Sequence, residues 1–235
     1  MKVAVVLTGH LRMFQKVFPN FKERIIDRYQ PDIFISTWRD EGYWVPQEGR
    51  LGIQEGSPLV HEHEIRAAYN PKELLMEDFY SLEPIFAERA KNFPTYYHRP
   101  RNIISMFYKM QSGVSLMKSH MIKTGTKYNL VIRMRPDMLL HEPLPAFQDG
   151  TFYTLAHRNH MGGGTGDMFQ IGSVDQVSKF CDIGFKLESI YEQTKLLCPH
   201  VMSVKHIQNS WLPWKEFSIS KSIQHTPNGE YGNGG

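Results

Sequence analysis

The sequence predicts a single α/β domain, a mostly parallel central sheet flanked by helices. Three observations predict it. Val3 to Leu7 is an unbroken apolar run rich in β-branched residues, the pattern of a strand buried on both faces. Ile33 to Trp38 repeats that pattern after a helical stretch, so the first forty residues read strand, helix, strand. The chain has 235 residues, 41% of them hydrophobic and 22% charged, enough for a sizeable core without disulfides and unlike a disordered or fibrous chain.

The elements follow in order. The opening apolar run is too short for a signal peptide, lacks a small-residue cleavage site after it, and reads as the first strand, ending in Thr8-Gly9. A helix is expected over Pro19 to Tyr29, with Phe21, Ile25 and Ile26 on its apolar side, broken by Pro31-Asp32. The second strand ends in Thr37-Trp38. Residues 40–70, rich in Gly, Pro, Glu and His, read as a long loop or insertion able to cover a site at the strand ends, and 71–91 as one or two short helices entered at Pro71. The 40–100 region as a whole is expected to be an insertion serving as acceptor side or lid. Asn102 to Lys123 is the clearest helix: Ile103, Phe107, Met110, Val114, Met117 and Met121 form one stripe, with Asn102 as N-cap. Tyr128 to Leu140 reads as a strand that Pro136 interrupts, and Thr151 to Ala156 as another. A Gly-rich loop, His160 to Gly166, precedes a strand at Asp167 to Gly172. Ser173 and Gln176 form a capping box for a helix reaching about Gln193. The domain is expected to span 1–227, with 228–235 a frayed tail.

Charge excludes some functions. The net charge of +3 is modest, but no Asp or Glu lies between Arg89 and Pro136, where Arg89, Lys91, Arg99, Arg101, Lys109, Lys118, Lys123, Lys127, Arg133 and Arg135 accumulate. An acid-free basic segment is expected to attract anions or to be a solvated basic face. The cations are spread out, which argues against a nucleic-acid arm, and no nucleic-acid partner is expected. No apolar run approaches the roughly 20 residues needed to span a bilayer, so no transmembrane segment is expected. Two cysteines, Cys181 and Cys198, cannot form a disulfide scaffold or a four-cysteine zinc site and fit a reducing compartment, the cytoplasm, or the host cytoplasm for a viral chain.

Several motifs are absent: no G-x-G-x-x-G follows the first strand, and there is neither a P-loop nor a G-x-S-x-G elbow. His61-x-His63 and His157-x-x-His160 lack the further ligands of a zinc motif and read as adventitious. His206 and His225 are candidates for a late metal or phosphate ligand without a supporting motif. The strongest constellation is Arg133-x-Arg135-Pro-Asp137 at a strand end. Period-two alternation puts the three charged residues on one face. They form either a structural ion cluster or a diphosphate site, in which arginines bind phosphate oxygens by two-point hydrogen bonds and a carboxylate holds Mg²⁺ or Mn²⁺. Gly9 and Arg12, just past the first strand, could approach the same ligand.

Four segments then carry a family resemblance: Thr8-Gly-His-Leu-Arg12, Pro31-Asp-Ile-Phe-Ile-Ser-Thr-Trp38, Tyr128-Asn-Leu-Val-Ile-Arg-Met-Arg-Pro-Asp137 and Gly166-Asp-Met-Phe-Gln-Ile-Gly-Ser173. In this order, over about three-quarters of the chain, they resemble glycosyltransferases of the GT-A type, among them small bacterial and large-virus enzymes that build surface glycans. The resemblance implies a Rossmann-like GT-A domain and a UDP- or GDP-sugar donor lying over the strand ends, in contact with Thr8, Gly9, Arg12, Trp38, Arg133, Arg135 and Asp137. It implies transfer to a hydroxyl of a glycan acceptor. Asp137 matches the last acid of the family's Asp-x-Asp metal motif, implying a divalent cation, Mn²⁺ or Mg²⁺; Arg135 stands where the first acid would be, which puts that cation in question. Asp167 falls where such enzymes place an acid near the acceptor, implying a general base; a loop-capping role is the alternative. Trp38, Tyr43 and Trp44 could stack on a sugar, or pack as core. A non-catalytic glycan- or nucleotide-binding module on the same fold is the other functional reading.

Overall fold

The computed structural model describes residues 1–42, 44–47, 50–53, 57–96, 99–157, 164–226 and 229–231, with only the backbone described for 44–47, 50–53, 157, 164, 225–226 and 229–231. The chain runs β1 (Val3–Thr8), α1 (Phe14–Phe21), a π-helical turn (Lys22–Ile26), α2 (Asp27–Tyr29), β2 (Asp32–Trp38), the hairpin β3 (Trp44–Gln47) and β4 (Arg50–Ile53), α3 (Glu62–Tyr69), β5 (Glu73–Glu77), α4 (Phe79–Ala90) and α5 (Pro100–Thr124). It continues with β6 (Leu130–Met134), β7 (Met138–Leu140), β8 (Phe152–His157), β9 (Gly164–Gly172), α6 (Val174–Cys181), a 3₁₀ turn (Asp182–Phe185), α7 (Leu187–Thr194), α8 (Pro199–Asn209), β10 (Trp214–Phe217), β11 (Lys221–Thr226) and β12 (Gly229–Tyr231).

Seven strands form the main sheet in the order β10-β8-β9-β6-β1-β2-β5, with β9 alone running antiparallel to its neighbours. The expected α/β architecture, a mostly parallel sheet flanked by helices, is what the chain adopts. All six residues of β1 are buried, because helices cover both faces. Val3, Val5 and Leu7 pack with Phe14, Phe21 and Ile25 on one side. Ala4 and Val6 pack with Phe107, Met110 and Val114 of α5 on the other. The chain leaves β1 for β2 on one side and reaches β6 on the other, so the strand order reverses at β1, the place where open α/β sheets bind ligands.

The differences from expectation have local causes. The first helix starts at Phe14, before Pro19, because Phe14, Val17 and Phe21 all reach the core; Pro19 sits inside it and a π-helical turn follows, where a helix loses a backbone donor. The 40–100 region is not a pure insertion. Glu73–Glu77 is β5, the edge strand of the main sheet, half-buried throughout, which hides it from a pattern search. The long helix begins at Pro100 with Arg99, not Asn102, as N-cap. The Ser173 capping box forms as expected, but the helix stops at Cys181, and Gly184 in the 3₁₀ turn packs against the Phe107 backbone. Gly229–Tyr231, expected to fray, pairs with β11; 232–235 and most of the Gly-rich loop, 160–163, lie outside the described residues.

Several cations of the acid-free basic segment are paired in the fold. Arg89 pairs with Glu188, Lys91 with Glu88, Arg101 with Glu83 and Lys109 with Glu77. Acids outside the segment, from the neighbouring Glu88 to the distant Glu188, neutralise cations that look unopposed along the chain. Among the described residues, no helix is long and apolar enough to cross a membrane.

Gly113 lets α5 lie directly on β1. A Cβ there would come 2.6 Å from Thr8 Cγ2 and 2.8 Å from Val6 Cγ1. Gly113→Ala gains about 1 kcal/mol of helix propensity, but the overpacking is expected to win, destabilising the fold by about 1–3 kcal/mol in urea unfolding. A more stable variant would mean that α5 shifts freely on β1.

Candidate functional site

The ends of β1, β6 and β9 are pinned together by one buried cation. Arg133 has no exposed surface. Its Nε and Nη2 donate to Thr8 Oγ1 at 2.8 and 2.6 Å, and its Nη1 donates to Gln170 Oε1 at 3.0 Å and to the Asp167 carbonyl oxygen. Burial pushes its pKa down to about 10, so it stays charged at neutral pH. Cys181 of α6, itself buried, is held protonated by its apolar surroundings, its pKa raised to about 12 although Arg133 pulls the other way.

Asp137 is the second centre. Pro136 ends the β6 ladder, and Asp137 sits in the turn before β7, its carbonyl bonded by Gln224 N–H. The carboxylate is unexposed. Arg135 donates to it twice, Nε to Oδ1 at 2.9 Å and Nη2 to Oδ2 at 2.6 Å; Arg12 Nη1 donates to Oδ2 at 2.9 Å. Burial pushes Arg12 down to about 10, against the pull of Asp137. Burial also works against the charge of Arg135, but Asp137 and Asp167 outweigh it and its pKa is raised. Of these arginines Arg135 alone reaches solvent appreciably, its side chain 18% exposed against 7% for Arg12.

The loop after β2 braces Arg12 and its neighbour Met13. Arg12 Nε donates to the Gly42 carbonyl, and Glu41 Oε2 accepts from Met13 N–H at 3.2 Å. His10 holds the same loop: its Nδ1 lies 3.2 Å from the Asp40 carbonyl oxygen and its ring contacts both Trp38 and Phe79. Gly42 is required there, at φ 61° with a Cβ position 2.2 Å from His10 Nδ1. Burial, opposed by Asp40, lowers the His10 pKa. His10 lies inside the segment that carries the resemblance, but nothing in sequence shows that it faces Asp40.

Asp167, on β9, is nearly buried, with its Oδ1 3.6 Å from His200 Nδ1. His200, near the start of α8, also bonds the Thr165 carbonyl oxygen at 3.1 Å. Burial would raise the Asp167 pKa, but His200, Arg135 and Arg133 together lower it. His200 was invisible in sequence, where it belongs to no motif.

The structure thus gathers Thr8, Gly9, Arg12, Arg133, Arg135, Asp137 and Asp167 at the strand ends but separates their roles. Thr8 and Arg133 are internal struts. Gly9, at φ 113°, has open space where a Cβ would point. Trp38 is not available to a sugar: it is 1% exposed, packed edge-on by Phe79 and Phe86, with Lys109 Nζ 3.9 Å above its ring. Tyr43 lies outside the described residues, as does the Trp44 side chain. His206 is a core residue bonded to the Lys179 carbonyl, not a surface ligand, and the His225 side chain is not described. His61 and His63 stack on each other at the start of α3, and the side chains of His157 and His160 lie outside the described residues. A groove of about 540 Å³ between α4 and α5 is lined by apolar side chains such as Leu75, Phe86 and Ile104 and contains none of these site residues.

The residues at Asp137 do not fit a divalent cation. Its two oxygens already accept three guanidinium N–H bonds, and one carboxylate between two guanidinium groups offers a dication no net negative charge. No family model matches this chain, and neither does any curated protein.

Two outcomes are expected. Thr8→Val keeps the shape of Thr8 but leaves Arg133 short of an acceptor for two donors, and should cost about 3 kcal/mol in urea unfolding; a loss under about 0.5 kcal/mol would mean that Arg133 finds other partners. His10 has a folded pKa below its unfolded value of 6.5, so the unfolded chain takes up its proton first. Its contribution is present above pH 6.5 and is lost as pH falls from there toward the folded pKa. His10→Gln should flatten the decline of the urea midpoint below pH 6.5. An unchanged slope would assign it to His206, whose pKa burial lowers in the same direction.

Proposed function

We propose that this chain is a GT-A-type glycosyltransferase that moves a sugar from a UDP- or GDP-sugar to a hydroxyl of a glycan acceptor in the cytoplasm. One observation carries the proposal: beside the β1/β6 reversal of strand order, adjacent strands bring a partly exposed guanidinium, Arg135, and a carboxylate, Asp167, to the same edge. A cation beside a base is what glycosyl transfer needs. The acceptor oxygen attacks the anomeric carbon and gives its proton to Asp167. The bond from that carbon to the diphosphate breaks, and its electron pair leaves with the phosphate oxygen. Arg135 stabilises the charge that develops there.

Asp167 is held ionised at rest, which makes it a weak base. A bound diphosphate would neutralise part of Arg135's field and raise the Asp167 pKa toward the range a general base uses. The carboxylate gains proton affinity when the donor is in place. Gly9 supports the reading through the open space beside it; Arg133 fixes the backbone of Asp167, and Arg12 holds Asp137, which in turn aims Arg135.

The burial of Asp137 between two arginines also favours a second reading, a nucleotide- or glycan-binding module without turnover. The two readings part on one variant. Asp167→Asn is expected to lower turnover of UDP- and GDP-sugars by about 10²–10⁴-fold while the rise in melting temperature with UDP or GDP stays as in the unaltered chain. A nucleotide-induced rise without any turnover in the unaltered chain would support the module. No rise with any of these nucleotides or their sugars would overturn the donor site.

A further inference from the structure

We infer that the site binds the diphosphate of its donor without a divalent cation, with the outward edge of Arg135 in the place a metal would take. The inference rests on the donor-site reading above and goes beyond it by assigning the group that grips the phosphates.

The geometry that carries it is the orientation of one guanidinium. Arginine has five N–H donors arranged as a planar fork. Arg135 uses one edge of that fork, Nε and Nη2, on the two oxygens of Asp137. Both Nη1 donors and the second Nη2 donor point away from Asp137, and Nη1 meets no hydrogen-bond acceptor among the described residues. That second edge has the geometry for bidentate phosphate recognition. It belongs to the one arginine of the cluster that solvent reaches appreciably. Asp137 therefore acts as a positioning residue: it aims Arg135 and lies too deep to touch a ligand.

The charges agree. A divalent cation at Asp137 would meet Arg12 and Arg135 within hydrogen-bond distance of the same carboxylate, and two positive neighbours repel it more than one shared carboxylate attracts it. Of the adjacent acids, Glu41 accepts from Met13 N–H, and Asp40 and Asp167 each lie beside a histidine, His10 at 3.3 Å and His200 at 3.6 Å. A phosphate anion meets the opposite situation, a fixed guanidinium whose attraction needs no reorganisation.

The experiment is titration calorimetry with UDP and GDP, once in EDTA and once in Mn²⁺. The affinity of whichever nucleotide binds is expected to be equal in the two buffers. Arg135→Lys keeps the charge and removes the fork, and should weaken binding by about tenfold or more in both. Asp137→Asn should weaken binding by releasing Arg135, again equally in both buffers. Circular dichroism and the ligand-free melting temperature check that each variant folds, and the unaltered chain carries the test should either fail to. Binding that appears only with Mn²⁺ would overturn this inference and leave the donor site standing. Binding of neither nucleotide in either buffer would overturn both.

Discussion

A buried guanidinium decides the geometry of everything at the strand ends. Arg133 has given up its hydration, and that cost is offset only because Thr8, Gln170 and the Asp167 backbone meet it from β1 and β9. The interaction is mutual. The three strands cannot slip against one another without stranding a charge in the core, so their ends are held in one register. Arg135 and Asp167 inherit that register, Arg135 one residue past the end of β6 and Asp167 through the carbonyl that Arg133 binds. Gly113 matters for the same reason, since it lets α5 close over Thr8 and keep water away from the bond.

The site is layered by depth. Innermost are Thr8 and Arg133, which support; next come Asp137 and Arg12, which orient, with Asp167 buried at a similar depth; outermost is Arg135, which reaches the surface edge. The layering reconciles heavy burial with a chemical role. Groups that must keep their direction are enclosed in low dielectric, where hydrogen bonds are stiff. The group that must meet an anion stays at the rim. The latch of His10, Asp40 and Gly42 extends this order to the loop after β2, because it fixes the carbonyl that braces Arg12.

Much of this was legible in the sequence. Strands buried on both faces leave continuous apolar runs, so β1 and β2 were plain, and the stripe of α5 and the capping box of α6 were equally direct. The cluster at Arg133, Arg135 and Asp137 was found because charges on an otherwise apolar strand stand out. What the sequence hid was depth. Alternation places Arg133 and Arg135 on one face but does not say that one is sealed and the other open. Trp38 looked available because its burial depends on Phe79, Phe86 and Lys109, all distant in sequence. β5 went unseen because an edge strand with every residue half-buried has neither alternation nor a full apolar run. The acid-free stretch overstates the open charge, because part of its balance is settled across space, by Glu77, Glu83 and Glu188.

Cys181 offers a view into this arrangement. Its thiol lies beside the guanidinium that pins the strand ends, it is sealed from solvent, and its apolar surroundings keep the reactive thiolate scarce. Cys198, the other free thiol, is buried too. Alkylating reagents therefore meet sulfur only when the interior opens, and the pace of Cys181 labelling becomes a clock for how often the three strands come apart beneath the site.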